Sequence, residues 1–215
     1  TDAKNPIPTD EIERLKQWIS EGAPFEDHWA FSAPVRKTIP ETSNQDWNAH
    51  PIDAFLFQKL AKEGLNPQPE ASKETLLRRA FLTLTGLPPS PSDTQLFLQD
   101  TTEDAYEKLV DRLLKSKKYG EHRSRYWLDA ARYGDTHGLH LDNERAIWPY
   151  RDWVINALNE NKPFDTFTIE QIAGDLLPNP TLDQLVATGF NRCNVTTSEG
   201  GAIPEEFAVR YGIDR

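Results

Sequence analysis

Apolar residues recur at three- and four-residue intervals along this chain, and nearly every such run is bracketed by a helix start or stop signal, so the sequence must fold chiefly as short helices. The first run, Asp10 to Glu21, has Thr9 as a cap, a stripe of Ile12, Leu15, Trp18 and Ile19, and Gly22 as a stop. Pro51 opens a second, with Ile52, Phe55, Leu56 and Leu60 behind it and Gly64 after. Ser72 opens a third, which Gly86-Leu87-Pro88-Pro89 ends. Further helices are expected near 91–99, 104–115, 120–133, 149–160, 166–173, 182–189 and 204–211. Ser90-Pro91, Trp148-Pro149 and Ile203-Pro204 place proline at the first helical position, and Thr181-Leu182-Asp183-Gln184 has the form of a capping box. Period-two alternation is nowhere sustained and no internal repeat is visible, so the fold class is all-α: an irregular multi-helix domain of about eight to ten helices with long polar loops.

Size and charge narrow the function. At 215 residues with 37% hydrophobic content, six Trp and ten Phe, the chain can fill one ordinary core without metals or disulfides. A net charge of −10 repels a phosphate backbone, and the densest basic run is only Lys115-Ser116-Lys117-Lys118, which argues against nucleic acid as a partner. No stretch approaches the roughly 20 apolar residues of a transmembrane helix. Thr1-Asp2-Ala3-Lys4 is neither a start methionine nor a signal peptide, so a longer parent protein is expected. The single cysteine, Cys193, cannot close an intrachain disulfide or supply both thiols of a Cys-x-x-Cys-His haem attachment, and a small buried thiol is its expected role.

Chemistry-bearing residues concentrate in three places. His122, Arg125, Asp129 and Arg132, spaced three, four and three apart, share a helix face that is either a solvated stripe or one wall of a polar cleft. The loop Asp135-Thr136-His137-Gly138-Leu139-His140-Leu141-Asp142-Asn143-Glu144-Arg145 carries two imidazoles and three carboxylates. It reads either as a polar loop docked by hydrogen bonds and an Arg145 ion pair, or as a divalent-metal site of His137, His140, Asp135 and Asp142. A second polar loop from Asn191 to Glu206 holds Glu199, Glu205 and Glu206 as candidate general bases, although Glu205 and Glu206 also simply complement the positive end of a helix. Ser198 lacks the Gly-x-Ser-x-Gly setting of a hydrolase nucleophile.

Several of these stretches together resemble a known family. Tyr133-Gly134-Asp135, Trp148-Pro149-Tyr150-Arg151-Asp152-Trp153-Val154-Ile155, Pro163-Phe164-Asp165, Gln171-Ile172-Ala173-Gly174-Asp175-Leu176-Leu177-Pro178, Glu199-Gly200-Gly201, Pro204-Glu205-Glu206-Phe207 and Asp214-Arg215 are similar to the planctomycete cytochrome-associated domain of unknown function, over about residues 47–215. Leu15-Lys16-Gln17-Trp18-Ile19, Gly22-Ala23-Pro24 and His28-Trp29-Ala30-Phe31 resemble the tail of the planctomycete-type cytochrome c domain that precedes it in such proteins. The stretch with Pro34 and Pro40 has no helical period and reads as an extended linker, which puts a boundary at 32–46, and the resemblance implies a tail at 1–31 before it and a helical domain at 47–215 after it. It also implies a large exported or periplasmic protein with haem c attached elsewhere, partnered in the same polypeptide by a cytochrome c-like domain and a further domain. It implies no substrate.

Three functions stay open on these grounds: a redox or electron-transfer scaffold beside a haem-bearing neighbour, a metal-dependent hydrolase or lyase built on the His137/His140 loop, and a non-catalytic interaction domain. One scaffold contact is also expected. Arg151, flanked by Trp148 and Trp153, should clamp a carboxylate such as Asp135, Asp142, Asp175 or Glu199 in a water-excluded pair.

Overall fold

A computed structural model describes residues 7–25, 28–44, 47, 50–138, 141–197, 200–201, 203–205 and 208–209. Among them stand nine α-helices: α1 (Thr9–Ser20), α2 (Pro51–Lys62), α3 (Lys73–Thr85), α4 (Pro91–Gln99), α5 (Ala105–Leu114), α6 (Lys117–Ala130), α7 (Trp148–Asn159), α8 (Phe164–Ala173) and α9 (Leu182–Ala187). Short 3₁₀ turns cover Trp29–Phe31, Gly174–Leu176 and Thr188–Arg192. The described residues form no sheet, only two isolated bridges, Thr136 with Glu144 and Gly138 with Thr196. The all-α expectation holds.

The chain divides into two units, one ending at Pro69 and one beginning at Glu70. In the first, α1 buries none of its residues. In the second, two apolar clusters form. Leu77, Ala80 and Phe81 of α3 pack with Phe97 of α4 and Ala105, Leu109 and Leu113 of α5. Tyr150, Trp153, Val154 and Ala157 of α7 pack with Phe167 of α8, Ala187 of α9 and Cys193. Helix α6 contacts α3 on one side and α7 on the other, and so ties the clusters together.

Most ends are where the residues ask for them. Ser72 caps α3 by accepting from the Thr75 amide, while Ser90 and Thr181 complete reciprocal capping boxes with Asp93 and Gln184. Helix α6 departs by three residues at each end from the expected 120–133. Ser116 starts it, accepting from the Lys118 amide. It ends because Arg132 takes a left-handed conformation (φ 59°) that lets the Tyr133 amide reach back to the Leu128 carbonyl at 2.8 Å. No glycine marks that stop, so periodicity alone runs past it.

The shift changes the polar face read from the sequence. Arg125 and Asp129 are exposed and Arg132 lies beyond the helix, whereas His122 is buried at 9% exposure. Its Nδ1 stands 2.9 Å from Arg125 Nη2; a guanidinium only donates, so Nδ1 is the acceptor and the ring proton sits on Nε2. Burial first, then the Arg125 and Arg123 charges, hold this imidazole below its usual pKa. Room for the ring comes from Gly86 at the end of α3, whose absent Cβ would stand 2.4 Å from Nδ1.

The approach of α6 to α7 depends on Gly120. A Cβ there would lie 2.5 Å from the Ile155 carbonyl oxygen and 2.6 Å from the Asn159 side chain. In the observed packing the Gly120 amide donates to Asn159 Oδ1 at 2.8 Å, and Asn159 Nδ2 donates to the Lys117 carbonyl at 3.3 Å. In an open helix, alanine is favoured over glycine by about 1 kcal/mol. Here Gly120→Ala has the opposite sign: it must push α7 away and should lose about 1–3 kcal/mol, read as a lower urea midpoint at unchanged slope.

Candidate functional site

The polar loop between α6 and α7 folds back on itself. His137 N–H donates to the Asn143 carbonyl at 2.9 Å and Arg145 N–H to the Asp135 carbonyl at 2.8 Å, closing a short hairpin-like turn. Asp142 seals its tip, accepting from the Gly138 amide at 2.6 Å. Hydrogen bonds from Thr136 and then Gly138 hold the Asp142 carboxyl below the usual carboxylate range, so it stays ionised as a turn-closing acceptor. Asp135 accepts from the Tyr133 hydroxyl at 2.5 Å. Burial, followed by that bond to Asp135, pushes the Tyr133 phenol well above its usual value.

The second loop, after α9, is fixed against the first. Thr196 N–H donates to the His137 carbonyl at 2.8 Å. Arg145 spans both: Nε donates to the Gly134 carbonyl at 3.0 Å, and Nη1 to the Asn194 carbonyl at 2.8 Å and the Arg192 carbonyl at 3.2 Å. A planar guanidinium suits this task because its donors leave in fixed directions and it stays charged at any ordinary pH. Asn191 anchors the second loop to the core, its side-chain amide donating to the Gln171 and Ile172 carbonyls at 3.2 and 3.1 Å. Cys193 beside it is 1% exposed and its thiol donates to the Gly189 carbonyl at 3.5 Å, the buried small thiol expected.

Between the loops lies a cavity of about 570 Å³, lined by His137, Arg145, Ala146, Ile147, Asn191, Arg192, Asn194 and Thr196. Two arginines line it in a chain of net charge −10. Among the described residues, His137 Nδ1 is buried and has no hydrogen-bond partner. Such an orphan costs roughly 1–3 kcal/mol and in a native protein calls for a reason beyond stability.

Of the residues picked out from the sequence, His137 alone lines this cavity together with Arg145; Asp135, Asp142 and Glu205 are exposed. His140, Glu199 and Glu206 lie outside the described residues. Among the described residues, no three His, Cys, Asp or Glu side chains stand close enough to share a metal ion. Covalent haem does not fit the residues present, since the one cysteine is buried and already bonded to a backbone carbonyl. Sequence reading did not single out Asn191, Arg192, Asn194 and Thr196; the available signal was a dense polar run flanking an apolar cysteine.

The expected Arg151 clamp exists in a weaker form. Arg151 Nη1 stands 3.9 Å from Asp135 Oδ1 and Nε 3.1 Å from the neighbouring Asp152, but the side chains of Arg151 and Asp135 are 38% and 60% exposed. Water reaches the pair, so the flanking tryptophans do not bury it: Trp148 is itself exposed and Trp153 turns into the core. The arginine that organises the loop is Arg145.

Comparison with known proteins places the chain. Residues 51–215 match the PSCyt2 family, described as proteins of unknown function (DUF1549), and the chain belongs to that planctomycete cytochrome-associated family. No curated protein and no solved structure matches it.

The two arginines should separate cleanly. Arg145→Lys keeps the charge but cannot serve three carbonyls, and is expected to lose roughly 2–4 kcal/mol by urea denaturation. Arg151→Ala breaks a solvated pair and should change stability by less than about 1 kcal/mol. The reverse order would place the staple at Arg151.

Proposed function

We propose, with membership of the PSCyt2 family as the premise, that this domain is the binding scaffold of a redox site in a larger, exported, c-type cytochrome-linked protein, and that it holds an anionic group between its two polar loops. The cavity carries this reading. It is concave and large enough for a small ligand, and its lining includes two cationic side chains, Arg145 and Arg192. An oxyanion such as a carboxylate or sulfate fits that set by charge and by geometry. Arg145 is occupied with backbone carbonyls and serves as a fixed positive wall, while Arg192 is exposed and would turn toward a ligand.

The haem-linked part of the reading is supported by the family and by the likeness of residues 15–31 to a cytochrome c tail. Since the residues of this chain do not fit covalent haem, the haem would sit on another part of the polypeptide, with this domain beside it. The exported location rests on the same likeness.

Two measurements test the two halves. Sulfate stabilises most proteins weakly by exclusion from their surface, so the specific effect is the difference between two variants. At matched ionic strength, sulfate should raise the melting temperature of the wild type more than that of Arg192→Ala, because only the wild type gains the linkage term of a bound ion. Equal shifts would remove the anion from the proposal. The longer parent protein, produced in a host that matures haem c, should show Soret and α/β absorption bands; their absence would remove the cytochrome link.

A further inference from the structure

A second cavity, remote from the polar loops in chemistry, opens where α6, the end of α7 and the start of α8 meet, with a volume of about 330 Å³. Its walls are aromatic: Tyr119, Tyr126 and Trp127 from α6, Phe164 and Phe167 from α8, over a floor of Ala157 and Leu158. Folding alone does not account for all of them. Phe167 is 5% exposed and belongs to the core, but Tyr126 is 59% and Phe164 70% exposed. Trp127 turns its only polar atom away from solvent, its indole N–H donating to Gln171 Oε1 at 2.8 Å and Tyr150 Oη at 3.1 Å, which leaves ring surface for the cleft. Phe167 and Phe164 meet that ring edge-on, at 4.9 and 6.2 Å between centroids, so the walls are held at fixed angles.

Charge at the rim is one-sided. Lys162 is neutralised, its Nζ 2.5 Å from Glu170 Oε2 in a largely buried pair. Arg123 is exposed, and among the described residues it has no carboxylate partner; its guanidinium lies 5.3 Å from the Tyr126 ring centroid. Stacking on an aromatic face holds a guanidinium in place while leaving its edge donors open. Asn161, held in a left-handed conformation (φ 51°) where α7 stops, adds an amide to the same rim.

We propose that this cleft is a binding site for a small aromatic carboxylate, its ring between Trp127 and the exposed Tyr126 and Phe164 side chains, its carboxylate on Arg123. The volume lies at the lower limit of ligand cavities, enough for one ring and a short acidic arm and too small for a peptide segment. Apolar walls supply affinity without orientation; Arg123, with no carboxylate partner among the described residues, supplies the preference for an acid over a neutral isostere. The site shares no lining residue with the cavity between the polar loops, so the two readings stand or fall separately.

Calorimetric titration of the full chain with 3-phenylpropionate tests this. Binding is expected in the range of roughly 0.1–1 mM for a ligand of this size. The neutral 3-phenylpropanol should bind at least about tenfold more weakly, as should 3-phenylpropionate to Arg123→Gln, the order of one charge-assisted hydrogen bond. Both Arg123 and Phe164 are surface residues, so Arg123→Gln and Phe164→Ala should fold with the wild-type circular dichroism, and Phe164→Ala should weaken both ligands alike. No heat up to about 10 mM ligand, well beyond the expected range of affinity, would overturn the proposal. So would equal affinity for the alcohol, undiminished affinity in Arg123→Gln, or a clear preference for the free-acid peptide Gly-Gly-Phe, which would assign the cleft to peptide ends.

Discussion

The side-chain carbonyl of Gln171 is the point on which the second unit turns. It receives the Tyr150 hydroxyl at 2.7 Å and the Trp127 indole N–H at 2.8 Å, while its own amide donates to the Phe167 carbonyl at 3.0 Å, all at 1% exposure of Gln171 and Tyr150. Burying a polar group costs free energy unless its bonds are made, and here both lone pairs of the oxygen and one of the two amide hydrogens are used. The node fixes α6, α7 and α8 at once. Both cavities inherit their shape from it: Trp127 walls the aromatic cleft, and the Gln171 backbone carbonyl anchors Asn191 at the rim of the polar one.

Around that node the loops are built for position more than for regular structure. Among the described residues, side chains close several of their hydrogen bonds: Asp142 at the turn, Arg145 across the gap, Asn191 on the core. Buried backbone carbonyls far from any sheet need such partners, and a guanidinium can serve several together. Arg145 therefore carries in one side chain what a strand pairing would otherwise share among many amides. A His137 nitrogen without a partner among the described residues is the cost the arrangement tolerates, and His137 lines the same cavity as Arg145 and Arg192.

Much of the fold was legible because its signals are local. Ser72, Ser90 and Thr181 each act on the amide three residues on, so sequence spacing fixes them. Where a stop depends on an unusual residue in the left-handed region, as at Arg132, periodicity overruns it. His122 was legible as polar but not as buried, because its pocket is the missing side chain of Gly86, 36 residues earlier. The two arginines show the same limit. Arg145 and Arg151 both sit near carboxylates in sequence, and flanking tryptophans favoured Arg151, but which one is shielded depends on loop 191–194 arriving 47 and 49 residues later. The site-lining Asn191 and Asn194 owe their place to that same long-range approach.

If Arg145 joins the two loops into one rigid wall, amide hydrogen exchange should see it at Thr196, whose N–H crosses from the second loop to the His137 carbonyl. That amide is expected to exchange slowly in the wild type, near the rates of α7, and to lose most of its protection in Arg145→Lys while α7 itself is unchanged. A Thr196 amide that exchanges as fast as an unstructured one in the wild type, or equally slowly in both proteins, would contradict the account.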